Sequence, residues 1–122
     1  MAISNQAQIQ KLVTVFTDAV ISQTEAIRQG NPGTGNKHAK RYIAAFKKLR
    51  SLGNAGRDAL IPLLAHSRAD VREMAAVYLL RYKTKEAIEV LQSEGAGVGL
   101  VAFGAQQAIK RWQEGAWNLD PP

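Results

Sequence analysis

Ala59-Leu60-Ile61-Pro62-Leu63-Leu64, followed by Asp70-Val71-Arg72, Ala75-Ala76, Leu79-Leu80 and Ala87-Ile88-Glu89-Val90-Leu91, is the stretch that decides the fold. Its apolar residues recur at three- and four-residue steps, the period of a helix with one buried face. The spacing predicts a helix over 57–66, where Pro62 must sit in the first turn or bend the helix because it lacks a backbone donor. A second helix is expected over 70–82, with Asp70 as its N-cap and Val71, Met74, Ala75, Tyr78 and Leu79 facing inward. A third is expected over 85–93, capped by Thr84 and buried through Ile88 and Leu91.

The same period extends to both sides. Ile9, Leu12, Val13, Phe16, Val20 and Ile27 predict a helix over 5–28 with Ser4 as its cap. Gly30-Asn31-Pro32-Gly33-Thr34-Gly35 then reads as a break. A helix over 36–52 would bury Ala39, Tyr42, Ile43, Phe46 and Leu49, and Gly53 would close it as a left-handed C-cap. Gly95-Ala96-Gly97-Val98-Gly99 separates the helix over 85–93 from a last one over 100–113, with Leu100, Phe103, Ala108 and Trp112 as its core face. Residues 117–122 form a tail, either an ordered strap or a frayed end. Six helices with short turns and no period-two alternation predict an all-α chain of one domain, arranged as an α-α superhelix of about three antiparallel helix pairs.

The residues from Ala59 to Leu91 resemble a HEAT-type repeat, in which an apolar first helix ends in a short polar turn, Asp-Val-Arg opens the second helix and alanines allow close helix approach. The resemblance covers about a third of the chain, and the flanking pairs, without an Asp-Val-Arg, resemble it as variants. The whole chain also resembles a family of short bacterial HEAT-like proteins catalogued as a domain of unknown function. That resemblance implies a stack of helices and no established activity. Small HEAT-like proteins of this kind resemble immunity proteins, or antitoxins, which implies a role in binding and occluding a cognate bacterial toxin.

Composition narrows the chemistry. The 122 residues include no cysteine, so a disulfide frame, a thiol nucleophile and a cysteine-ligated metal are excluded. The N-terminal residues lack the pattern of a signal peptide and no apolar run suffices to span a bilayer, so a cytoplasmic chain without membrane contact is expected. Gly33-Thr34-Gly35-Asn36-Lys37 lacks the Gly-Lys-Ser/Thr ending of a phosphate loop, and the glycines at 95–99 lack a βαβ setting. His38 and His66 fall on different predicted helices, with no carboxylate at metal-ligand spacing on the same face. The serines sit at caps or polar faces, and Glu86 with Glu89 reads as a solvated pair. No cofactor, metal or catalytic residue is assigned, and the chain is read as a non-enzyme. The resemblance to HEAT-like repeats implies that Asp70 and Arg72 mainly brace their turn, Asp70 accepting backbone donors at the helix start and Arg72 reaching carbonyls or carboxylates in a neighbouring repeat; a ligand-binding role is the alternative.

Charge carries the functional signal. The net charge of +6 is unevenly spread: residues 1–33 balance, 37–57 carry +7 with no acid, 58–85 carry +2, and 86–122 carry −3. At 100° per residue, Lys37, Lys40, Arg41, Lys47 and Lys48 fall within an arc of about 120°, opposite the apolar set. Lys37 repels Lys40 and Arg41 by roughly 0.2 to 0.5 kcal/mol per pair. Three of these cations also crowd the positive end of the helix dipole. A charge pattern that opposes helix stability indicates a binding face, solubility being the competing explanation. The expected partner is one acidic-surfaced protein, with Arg81, Tyr82 and Trp117 as added anchors; that it is a cognate toxin is what the resemblance to immunity proteins implies. Nucleic acid ranks second, because the basic balance suits it but no stacking aromatics accompany the lysines.

Overall fold

A computed structural model describes residues 2–115, with side chains from residue 5 onward. Among them are helices and turns and no strand. The helices are α1 (Ala2–Arg28), α2 (Pro32–Ser51), α3 (Asn54–Asp58), a 3₁₀ segment (Ile61–Ala65), α4 (Ala69–Leu79), α5 (Thr84–Gly95) and α6 (Leu100–Gln113). They divide into two compact units, Met1–Leu60 and Ile61–Pro122. Trp117 and the tail over 117–122 lie outside the described residues.

In the first unit α1 and α2 form an antiparallel pair. Gly35 approaches Gln23 and Ile27 near the turn, while further along the Phe16 and Tyr42 rings meet edge to face at 5.9 Å. Phe16, Val20, Phe46 and Leu49 are fully buried between the helices. Each such side chain contributes about 1.5–3 kcal/mol by leaving water. Thr14, Thr17 and Thr24 donate their hydroxyls to carbonyls one turn back, at Gln10, Val13 and Val20, which satisfies polar groups inside α1.

Several sequence expectations change here. Ser4 is not a cap, because α1 is already helical from Ala2. The glycine-rich break at 30–35 is mostly helix. Asn31 Oδ1 accepts from the Thr34 amide at 3.2 Å, and Pro32, with φ preset and no donor to lose, opens α2. Gly35 is buried, since an added Cβ would lie 3.4 Å from Ile27 Cγ1. Gly53 does have a positive φ, +88°, but its ψ of −164° is extended rather than a left-handed helical cap. Ile43, at 36% exposure, and Ile27, at 39%, leave the core, and Ala45 and Ala26 are buried in their regions instead.

The predicted helix over 57–66 is broken. α3 ends at Asp58, and Pro62 sits in the 3₁₀ segment, where shorter-range bonding tolerates its missing amide. Gly56 explains α3's seat, because a Cβ there would fall 2.1 Å from the Leu49 carbonyl oxygen.

The second unit packs α4 against the 3₁₀ segment, α5 and α6. Ala75, Ala76, Ala87, Ala102, Ala105 and Ala108 are buried, forming a small-residue seam around Val71, Leu79 and Leu91. α4 ends at Leu79 rather than 82, because the amides of Tyr82 and Lys83 both converge on the Leu79 carbonyl. Thr84 does not cap α5: it lies within the helix, which runs on to Gly95 rather than 93, and its hydroxyl donates to Leu80 O at 2.6 Å. Met74 and Ile88 are half-buried. α6 has the predicted bounds but turns another face inward. Leu100 and Phe103 are 50% and 55% exposed, since the close approach selects Ala102, Ala105 and Ala108. Trp112 is half-buried.

Candidate functional site

The orientation of α2 follows from its inner face. Gly35, Tyr42, Ala45, Phe46 and Leu49 are buried, so the residues on the far side of the helix cylinder must face solvent. Lys37, Lys40, Arg41, Lys47 and Lys48 are all exposed there. Ala44, also exposed, lies in the middle of the set: Lys40 and Arg41 precede it by one turn, and Lys47 and Lys48 follow it by one turn. The result is a cationic ridge with a low centre, bordered on one edge by Ile43.

The two remaining cations between residues 37 and 57 are used internally. Arg57 pairs with Asp58 at 3.1 Å, and the Arg50 guanidinium stands 6.0 Å from the Phe46 ring centroid. The ridge is different. Among the described residues none of its five cations lies within salt-bridge distance of a carboxylate. Arg41 instead donates from Nη1 to His38 Nδ1 at 2.9 Å. Arg81 and Tyr82 belong to the second unit, in the turn after α4, exposed and half-buried respectively, and both have partners within the fold.

A polar cluster of the second unit went unread in the sequence as a cluster. Asp70 is not the N-cap of α4, which is Arg68; it occupies the first turn, only 7% exposed. Arg68 grips it through Nε–Oδ1 at 3.0 Å and Nη2–Oδ2 at 3.1 Å, and the Val71 amide donates to Oδ1 at 2.9 Å. His66 Nδ1 accepts from the Arg68 amide at 3.0 Å. Arg72 donates Nη1 to the His66 carbonyl at 2.7 Å and forks onto Glu94 with Nε–Oε2 at 2.9 Å. The bond to Glu94 holds the Arg72 proton more firmly than usual. Asp70 thus takes a backbone donor at the helix start as expected, while Arg72 reaches a carboxylate on α5 and a carbonyl of its own turn rather than one of a neighbouring repeat.

Glu73 stands beside this cluster. Burial pushes its carboxyl up to about 8, and the neighbouring charges of Asp70 and Glu94 add to the shift. Its Oε2 is buried without a hydrogen-bond partner. It fits there because α6 has glycine opposite, where a Cβ at Gly104 would be 2.8 Å from Oε2. A glycine inside a helix was the available signal, but its counterpart is 31 residues away.

Among the described residues no group of three His, Asp or Glu side chains is placed to hold a metal ion, and no helix is long and apolar enough to cross a membrane. What the fold and site define is an all-helical chain with a cationic helix face that meets no carboxylate among the described residues. The chain belongs to the family described as a domain of unknown function, DUF2019, whose profile matches residues 10–108 and so includes the whole ridge. No curated protein and no solved structure matches it.

Proposed function

We propose that this chain is a non-catalytic binding module that docks the α2 ridge onto an acidic surface of one protein partner and acts by covering it. In its fullest form the reading is that of a cytoplasmic bacterial immunity protein, a HEAT-like α-α superhelix of about three helix pairs that occludes a cognate toxin. The observation that carries it is the state of Lys37, Lys40, Arg41, Lys47 and Lys48: five exposed cations around Ala44, none neutralised by a described carboxylate. Arg68 with Asp70 and Arg72 with Glu94 neutralise each other inside the fold, whereas the ridge cations do not, so an external counter-charge is the natural complement. The low centre at Ala44 lets a partner's carboxylates come between the lysine stems, and Ile43 supplies an apolar edge. Occlusion requires a buried interface of about 1,600 Å² in total, which the ridge would nucleate.

Tyr42 and Phe46, the aromatic residues of α2, are buried and therefore offer no stacking platform for bases. The test is capture from the native cell with the chain as bait. Replacing Lys40, Arg41, Lys47 and Lys48 by glutamate is expected to abolish retention of one protein while circular dichroism stays unchanged. Retention by the reversed ridge would reject the site. Salt-sensitive retardation of random oligonucleotides by the wild type, with no protein captured, would instead assign the ridge to nucleic-acid backbone.

A further inference from the structure

The second unit holds a groove of about 470 Å³. Ile61 and Leu64 of the 3₁₀ segment and Val90 of α5, all half-buried, give it an apolar floor. Glu86 and Glu89, one helical turn apart and exposed, stand on its rim. The bridged pair of Arg72 and Glu94 also lines it. Glu86 and Glu89 have no cation within salt-bridge distance among the described residues. An apolar strip edged by unpaired carboxylates is complementary to an apolar side chain bracketed by cations.

That complement is present on the same polypeptide. On α2, Lys40, Ile43 and Lys47 follow one another at three- and four-residue steps, with Ile43 36% exposed and neither lysine paired. The charge asymmetry of the chain repeats the relation on a larger scale, +7 over residues 37–57 against −3 over 86–122. We propose that the groove takes a second copy of this chain, the Lys40–Ile43–Lys47 edge of one molecule seating between Glu86 and Glu89 of another. Both surfaces are exposed on every molecule, so opposite charge draws copies together in concentrated solution at low salt.

The form of the association follows from its geometry. Two different patches meet, so the contact is heterologous and can propagate from molecule to molecule. The contact sets three side chains of one copy against a groove lined by nine residues of the other, well short of the roughly 20–30 residues a side of a stable dimer, so it is transient and salt-sensitive. The inference shares the α2 ridge with the function proposed above, and an acidic partner would compete with the second copy. It stands, however, on the groove, which that function does not use.

Light scattering and sedimentation velocity on the full chain test it. At low salt the average mass is expected to rise with concentration, and at high salt to return to that of the monomer. Glu86→Lys with Glu89→Lys should weaken association roughly tenfold or more by adding repulsion to the lost attraction, while leaving the ridge and any partner capture intact. Should that pair unfold the unit, Glu86→Gln with Glu89→Gln replaces it, with a smaller loss in the same direction. Lys40→Glu with Lys47→Glu should likewise give monomers. An equimolar mixture of the two charge-reversed variants should associate again, because the native ridge of one meets the native groove of the other and the reversed ridge is likewise complementary to the reversed groove. A wild type that stays monomeric at low salt, self-association untouched by the Glu86 and Glu89 substitutions, or a mixture that fails to re-associate would overturn the proposal.

Discussion

The outer face of α2 and the base of α4 use charge in opposite ways. Arg68, Asp70, Arg72 and Glu94 sit close together, partly withdrawn from water, with every one engaged by a partner at about hydrogen-bond distance. Lys37, Lys40, Arg41, Lys47 and Lys48 stand in solvent and find no described carboxylate. Withdrawing a charge from water is tolerable only when fixed partners replace the lost hydration. Leaving it hydrated costs little and keeps it available to something else. Paired charge therefore marks what holds this fold, and unpaired charge marks what the fold offers to others.

The contrast is sharpest within α2 itself, between its two faces. Phe46 is fully buried on the inner face, and Phe46→Ala should destabilise the chain by about 3 to 5 kcal/mol, the lost transfer energy plus a cavity; urea denaturation followed by circular dichroism reads it. A loss near that of a surface residue would mean that the helix is wrongly oriented. Next in size is Arg72→Met, which strands Glu94 and the His66 carbonyl together and should cost about 1 to 3 kcal/mol. If it cost nothing, the cluster would be as dispensable as the ridge and the contrast would disappear.

Glu73 gives a third, pH-dependent handle. The folded chain keeps this proton up to about pH 8, whereas the unfolded chain releases it near its ordinary 4.5. Between those values the unfolded state binds fewer protons, so this group's contribution is full at low pH and is lost as pH rises toward 8. Ion-paired carboxylates behave in the opposite sense. Partial exposure of Glu73 lets water screen the charge, so the loss is about 1 to 2 kcal/mol rather than the full linkage value. Glu73→Gln cannot ionise; melting temperature against pH should therefore be flatter for the variant, which should overtake wild type on the alkaline side. Parallel curves would show that Glu73 titrates as an ordinary surface acid.

How much of this the residues announced in advance depends on the distance over which each feature is determined. α6 begins and ends where its periodicity predicts, and α1 ends at Arg28 as expected, because helix ends answer to local signals. The ridge was legible for the same reason, since lysine positions on one helix need no knowledge of the rest. The start of α2 was misread although Asn31 followed by Pro32 is a helix-start signature; three glycines within six residues drew the reading toward a loop. On α6, reading the bulky residues selected Leu100 and Phe103, whereas close approach of α4 and α5 buries the alanines. Arg72 and Glu94 are 22 residues apart, so no periodicity could have joined them. No residue close to Glu73 in the sequence singles it out, because its environment is made by Gly104, in another helix.

The smallest expected effect on stability tests the central contrast. Reversing Lys40, Arg41, Lys47 and Lys48 to glutamate breaks no described salt bridge; Lys37 then attracts positions 40 and 41 instead of repelling them, the four glutamates repel one another as the cations did, and Arg41 gives up its exposed bond to His38. The helix dipole bears on one of the four changes: α2 begins at Pro32, so Lys40 and Arg41 lie more than two turns inside it and not at its positive end as a start at 36 implied, and Lys48 alone stands in the last turn, where an acid is unfavourable. These contributions nearly cancel, and the net shift should stay within about 1 kcal/mol, read as a melting temperature that hardly moves. A drop of several degrees would mean that the ridge is held by the chain's own groups after all, and that its charge serves the fold rather than a partner. A slight rise, with binding lost, would be the clearest sign that stability was given up there in exchange for recognition.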